Sequence, residues 1–468
     1  TTKTADEGLS AGLVGEYGSF NTRKGAVNLG YADNRGDVRF AYSNLSTDGI
    51  SKADENNGNS EDDGFDSQNI YLNGGLNLPG GARLAANVAW SSADTEYDSF
   101  VFANGVFALA DSDYLNKSDT ISANAVLSGA LFDGLLNNTL TVGLSEIDRD
   151  DFQNGAFSFG YEGKRRIARY QGDVVLTPQN KLAFGAEREE TDAEDGVAFE
   201  DDATINSLFA LYEFKPIDSL TLTGGLRWDD HSEFDAETTA RFAVAYQVVD
   251  YATLRASWGQ GFKAPTLFQT SYICGFCGLT APNPNITPET STAFDVGLDL
   301  VSPSGRAEAS ITYFNLETED EINFSFTAGY DNVDEVSSQG LELFARYGLT
   351  DWFGVSGAYT YIDAEERNNG APAAPRSRVA EHSGDVTLDF TPEGPASGAV
   401  VIRYVGETMD GANQLDAWTR VDLTGAFEIS DNVELFGRLE NIFNEEYQTV
   451  FGYGAPDFSG SIGLRLSY

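Results

Sequence analysis

Oxygen donors are the chemistry this sequence carries in quantity. Between residues 45 and 66, Asp and Asn recur at close spacing around Gly58 and Gly64. Such side chains on a flexible backbone supply the ligands that Ca²⁺ takes, although the spacing is not that of an EF-hand. The alternative is plain solvated charge. Asp54, Glu55, Glu61, Asp62, Asp63 and Asp66 crowd one stretch; Asp192, Glu194, Asp195, Glu200, Asp201 and Asp202 crowd another. Either stretch reads equally as a self-repelling outer loop surface. Sulfur chemistry is confined to Cys274 and Cys277. A C-x-x-C pair can do redox work or supply half a zinc site. No second pair exists, and His231 and His382 lie far away in sequence. A small loop disulfide formed in an oxidising compartment is therefore the preferred reading.

Other chemistry is excluded more firmly. There is no H-E-x-x-H and no phosphate loop, and two histidines in 468 residues are sparse for acid–base work. His382 reads as flanking a strand start. Paired carboxylates are too common here to mark a hydrolase, so no enzyme is expected. A net charge of −44 argues against nucleic acid, because phosphate binding needs Lys and Arg.

The elements that must position these residues are strands. Apolar runs of roughly 18 residues are absent, so no transmembrane helix is expected, but strands that alternate would escape that test. Leu254, Ala256 and Trp258 alternate with Arg255, Ser257 and Gly259. Phe294, Val296, Leu298 and Leu300 alternate with Ala293, Asp295, Gly297 and Asp299. Leu220, Leu222, Leu226 and Trp228 share one phase, and so do Ile462, Leu464, Leu466 and Tyr468. Period two gives each strand one apolar face and one polar face. The segment 205–214 is mixed.

The connections come in two kinds. Ten are tight turns built from Gly, Pro, Asn and Asp, among them Asp33-Asn34-Arg35-Gly36 and Leu78-Pro79-Gly80-Gly81. The others are often much longer and more acidic. Short turns on one side and long loops on the other are the pattern of an outer-membrane barrel. Ten turns separate eleven hairpins, which predicts an all-β fold, a 22-stranded antiparallel transmembrane β-barrel. A barrel that wide needs a plug in its lumen. No linker or 40–50-residue repeat divides the chain, so residues 1–468 read as one domain and a propeller is disfavoured.

Three motifs carry a resemblance. G-F-K-A-P-T-L at 261–267, N-P-N-I-T-P-E-T-S at 283–291 and N-I-F-N-E-E-Y at 441–447, in that order and closing near the C-terminus, resemble the TonB-dependent outer-membrane receptor family. Within it, E-D-D-G-F at 61–65, L-T-G-G-L-R-W-D-D at 222–230 and T-V-F-G-Y at 449–453 are similar to the branch that imports cobalamin. The resemblance implies an active-transport receptor in the outer membrane of a Gram-negative bacterium. Its cargo would be a corrinoid such as cobalamin, or alternatively a ferric siderophore. It implies energy from the TonB complex, contact with outer-membrane lipid and lipopolysaccharide, and a monomer. It also implies Ca²⁺ held by two neighbouring outer loops, 45–66 and 94–119. The matching positions are Glu61, Asp63, Asp98 and either Asp111 or Asp113, with Glu at 61 where the family has Asp.

The family carries an N-terminal plug that engages TonB. Here Thr1-Thr2-Lys3 resembles the plug's end and Gly8 begins the first strand. The expectation is a barrel without its plug and without a signal peptide. A passive porin is the alternative if no plug exists.

Overall fold

The structure is a computed structural model that describes residues 7–103, 106–196, 199–325, 329–332, 335–367 and 371–468. Thr1-Thr2-Lys3 lie outside the described residues.

Each strand bonds to its neighbours in sequence until the ring closes. Leu13, Gly15 and Tyr17 of the first strand, Gly8–Gly18, stand opposite Leu466, Leu464 and Ile462 of the last, Ser459–Ser467. The result is a closed antiparallel barrel of 22 strands. The short strand Ala374–Pro375 adds to one of them, and two small hairpins, Ile322–Ser325 with Gly329–Asn332 and Thr408–Asp410 with Asn413–Leu415, stand apart from the wall.

The period-two faces sort as the alternation predicts. Leu254 pairs with Leu298, and Trp258 with Phe294, on the outside. Leu226, Ile462 and Leu464 are all exposed, Leu226 by 61%. The lumen face carries the charges instead. Arg255 reaches Asp299 at 3.0 Å, Arg227 reaches Asp229 at 2.9 Å and Glu187 at 3.0 Å, and Arg420 reaches Asp422 at 2.9 Å. A water-filled or protein-filled lumen and an apolar surround require this inversion of the usual inside and outside.

Among the described residues, the few fully buried apolar side chains gather at the long-loop rim, where Ala53, Leu109, Leu267, Cys274, Ile322, Leu415 and Trp418 lie. The loops therefore pack on one another. The ten turns at the other rim are as short as residues 34–35 and 431–432.

Several stretches that read as acidic loops are strand. The wall runs from Arg83–Ala103 into Val106–Leu131, and from Asn180–Glu194 into Glu200–Ile217. Asp94, Asp119, Asp192 and Asp202 are thus ladder residues. Their backbones bond across the hairpin, which holds the strands extended well above the apolar band whatever the side chains are. Likewise the connection within 45–66 is only 51–62, between strands Gly36–Ile50 and Asp63–Asn77. Gly49 opens this connection at φ +74, beside a register shift, and a Cβ there would meet the Asp63 carbonyl oxygen at 2.0 Å.

Candidate functional site

The carboxylates suggested for Ca²⁺ come from connection 51–62, which carries Glu61, and from three consecutive strands at the long-loop rim. Asp63 opens Asp63–Asn77, whose outward apolar side chains begin only at Ile70. Asp98 lies on Arg83–Ala103, at a break in its pairing with the next strand. Tyr97 faces Tyr114 and Ser99 faces Ala110, so Asp98 alone stands against Asp111, Ser112 and Asp113. Such a bulge re-aims side chains out of the pleat. Here it turns Asp98 inward, to 3% exposure.

The residues 51–53 run between these acids. Asp63 accepts from the Lys52 N–H at 2.6 Å. Asp98 accepts from the Ala53 N–H at 2.8 Å through one oxygen and from the Ser112 N–H at 2.9 Å through the other. Asp111 accepts from the Ser60 N–H at 3.0 Å, and its own N–H donates to Asn59 at 3.3 Å. Connection 51–62 is thereby fastened to the neighbouring hairpin by carboxylates.

The electrostatics are those of crowded anions. Burial and then the Asp98 charge push the Asp63 carboxyl up to about 6. Glu61 is also raised, by desolvation and by Asp98, Asp111, Asp113 and Glu96. All five suggested residues therefore share one field. They do not form a closed cage: among the described residues, no three acid, His or Cys side chains stand together at metal-ligand spacing. The donors are nevertheless all oxygen, and two of the carboxylates, Asp63 and Asp98, are buried, with the Lys52 charge only partly offsetting the rise at Asp63. That donor set fits a hard divalent ion, with Glu61 and Asp113 exposed and able to turn inward.

Sequence reasoning missed a second attachment. The N–H of Asp54 donates to the Gly452 carbonyl at 2.9 Å and that of Gly454 to Lys52 at 3.0 Å, with Ala53 bridging Tyr453. Gln448 donates to the Asp54 carboxylate. The T-V-F-G-Y segment at 449–453 was the available signal, but nothing in its residue types says what it touches.

Cys274 and Cys277 are joined by a disulfide, with Cα atoms 5.2 Å apart. Cys274 is fully buried against the hairpin 322–332, near Gly329. His382 stands at the start of strand His382–Phe390, stacked on Tyr359 and bonded to its hydroxyl at 2.7 Å. One pentapeptide, Gly8-Leu9-Ser10-Ala11-Gly12, has the spacing of a serine nucleophile elbow. Ser10 lies within strand Gly8–Gly18, near its start and opposite Gly30, with no helix after it, so the elbow's turn is absent.

Among the described residues, two cavities at the mouth bear on the site. The larger, about 1030 Å³, lies on the lumen side of the strand ends 145–165, 187–205 and 227–231, beneath the turn 262–268. The smaller, about 470 Å³, opens beside connection 51–62 and the segment 446–457.

A wide closed barrel, apolar outside, charged within and crowned by packed loops at one rim, is the architecture of a membrane receptor barrel. The chain belongs to the TonB dependent receptor-like, beta-barrel family, whose model matches residues 11–442. It is 25% identical over 411 residues to "Vitamin B12 transporter BtuB" of Photobacterium profundum, covering 85% of this chain and 64% of that protein. It thus spans about two thirds of the length of such relatives. Among solved structures it superposes on the FrpB iron transporter from Neisseria meningitidis with a TM-score of 0.83 at 13% identity, covering 99% of this chain and 82% of that one. A ferric enterobactin receptor (PfeA) mutant from Pseudomonas aeruginosa, in complex with enterobactin, matches with a TM-score of 0.82 at 16% identity over 100% of this chain and 82% of that one. At such identities these structures speak to the fold alone.

Proposed function

We propose that this chain is the barrel of an outer-membrane active-transport receptor that captures a scarce corrinoid, such as cobalamin, at its long-loop rim and imports it with energy delivered through TonB. The observation that carries the reading is the convergence of Asp63 and Asp98, from two neighbouring hairpins, on the backbone of residues 51–53. The likeness to vitamin B12 transporters supports the cargo. In this reading Glu61, Asp63, Asp98 and Asp111 or Asp113 hold a Ca²⁺ ion, which when bound neutralises their mutual repulsion and orders both hairpins. The lumen would be filled by a domain that touches TonB, and no covalent chemistry is involved.

A ferric siderophore is the alternative cargo. The net charge of −44 disfavours it, because an acidic mouth repels anionic ferric chelates and is indifferent to a neutral corrinoid. The test is growth. A strain lacking its own cobalamin receptor, and dependent on external cyanocobalamin, is given the full-length gene. Rescue that disappears when TonB is deleted supports the proposal. Rescue of iron-limited growth by a ferric siderophore, with none on cyanocobalamin, refutes it.

A further inference from the structure

The larger cavity combines two properties that seldom meet in so acidic a chain. Its faces are aromatic: Phe159, Tyr161, Phe199, Phe262 and Phe268 line it. Phe159 and Phe268 are each 40% exposed, so their rings are open to a ligand. Its charges are also cancelled. Arg165 pairs with Glu189 at 2.5 Å, Arg227 with Glu187 at 3.0 Å and with Asp229 at 2.9 Å, and Lys263 with Glu289 at 2.8 Å. Arg149 lies 3.4 Å from Asp151, and Lys164 is paired with Glu162. Among the described residues, every cation of the cavity wall thus has a carboxylate within ion-pair distance, although the Arg149 Nε makes no hydrogen bond. His231 adds no charge near neutral pH, because burial lowers its pKa.

We infer that this cavity is a charge-compensated subsite for the face of a large, uncharged, ring-bearing ligand, and that it discriminates against polyanions. The inference rests on the receptor reading above and adds the chemistry of selection to it. An aromatic wall contributes contact area at little entropic cost and does not depend on ligand charge. A polyanionic chelate needs free cations, and here it would have to break an ion pair for each one it used. That leaves a carboxylate behind without a partner, next to the incoming anion, which is the repulsive arrangement specificity calls for.

The roof is organised before any ligand arrives. Phe268 sits in the short helix Leu267–Ser271, whose capping box joins Thr266 and Gln269 through bonds of 2.9 and 3.2 Å. Ser271 ties that helix to Asp201 at 3.3 Å. Behind it, the Phe268 ring meets Tyr272 at 5.2 Å and Tyr330 at 6.0 Å. A ring held this way gives up little freedom when it is covered.

The experiment uses the full-length receptor in detergent, with cyanocobalamin and ferric enterobactin as probes and ⁴⁵Ca²⁺ binding measured beside them. Phe268→Ala is expected to weaken cyanocobalamin binding roughly tenfold and leave ⁴⁵Ca²⁺ binding unchanged. Glu189→Gln, nearly isosteric, frees Arg165 and is expected to raise the affinity for ferric enterobactin relative to cyanocobalamin about threefold. If the wild type binds cyanocobalamin and both Phe268→Ala and Phe159→Ala bind it equally well, the inference is overturned while the receptor reading stands. A wild type that ignores cyanocobalamin, or prefers ferric enterobactin, overturns both.

Discussion

Asp63 and Asp98 are 2% and 3% exposed, and burial together with their mutual repulsion favours protonation of Asp63. A divalent ion would relieve that cost, with six to eight oxygen contacts drawn from both hairpins. Asp63→Asn should therefore cut the calcium affinity of the receptor by at least tenfold without unfolding the barrel, as read by ⁴⁵Ca²⁺ binding and by heat-modified gel mobility. An unchanged affinity would leave these acids only as fasteners of connection 51–62 and remove the calcium site. Asp63 was legible as a candidate from the acidic spacing of 45–66 and the E-D-D-G-F segment, and Asp98 only through the family resemblance. Their burial was not, since it depends on a bulge at Asp98 and on residues 51–53 folding across two strands. The cysteines give a second prediction at this scale. Protein purified without reductant should contain no free thiol at Cys274 or Cys277 by mass spectrometry. A loop closed over so few residues stabilises the fold little, so reduction should speed hydrogen exchange only near 267–288 and 322–332 and leave the wall as it was.

The strands were the most legible elements, because a wall between lipid and lumen enforces alternation more strictly than a folded core does. The phase of Leu220, Leu222, Leu226 and Trp228 was plain in sequence, and it is the outward phase. Thr221, Thr223 and Arg227 belong to the opposite phase. The two phases should respond oppositely to charge. Leu226→Arg, about midway along its strand, is expected to destabilise the barrel by roughly 2–4 kcal/mol in lipid vesicles, whereas Thr223→Arg, on the lumen face opposite Glu213, should cost under about 1 kcal/mol. Urea titration of vesicle-folded protein separates these outcomes. Equal costs would mean the faces are misassigned. Alternation failed as a guide above the apolar band. There both faces are polar, so Asp94, Asp119, Asp192 and Asp202 carry no phase signal and read as loop although they are paired strand.

At the scale of the whole molecule, the two rims differ in kind. One has ten tight turns; the other has packed loops joined across the chain, as residues 52–54 are to 452–454. The short-turn and long-loop asymmetry was readable from Gly, Pro and Asn positions alone, and it fixed the strand count. The cross-loop contacts were not readable, because they join segments some 400 residues apart with no shared pattern. In the proposed reading the loops face the outside of the cell and the turns the periplasm. A cysteine placed at Asn57, exposed in connection 51–62, should react with an impermeant maleimide on intact cells, and one at Ser304 should not. Labelling at Ser304 alone would invert the barrel.

The central claim joins the rim acids, the calcium they would hold and the cargo. It is tested most directly by titrating cyanocobalamin into the purified full-length receptor in millimolar calcium, in chelator, and in chelator with millimolar magnesium. Ordering both hairpins before the ligand docks lowers the entropy lost on binding. Affinity should therefore fall at least tenfold in chelator, return with calcium and stay low with magnesium, which keeps its waters and resists irregular sites. Binding of equal strength in all three solutions, or no binding in any, would contradict the account.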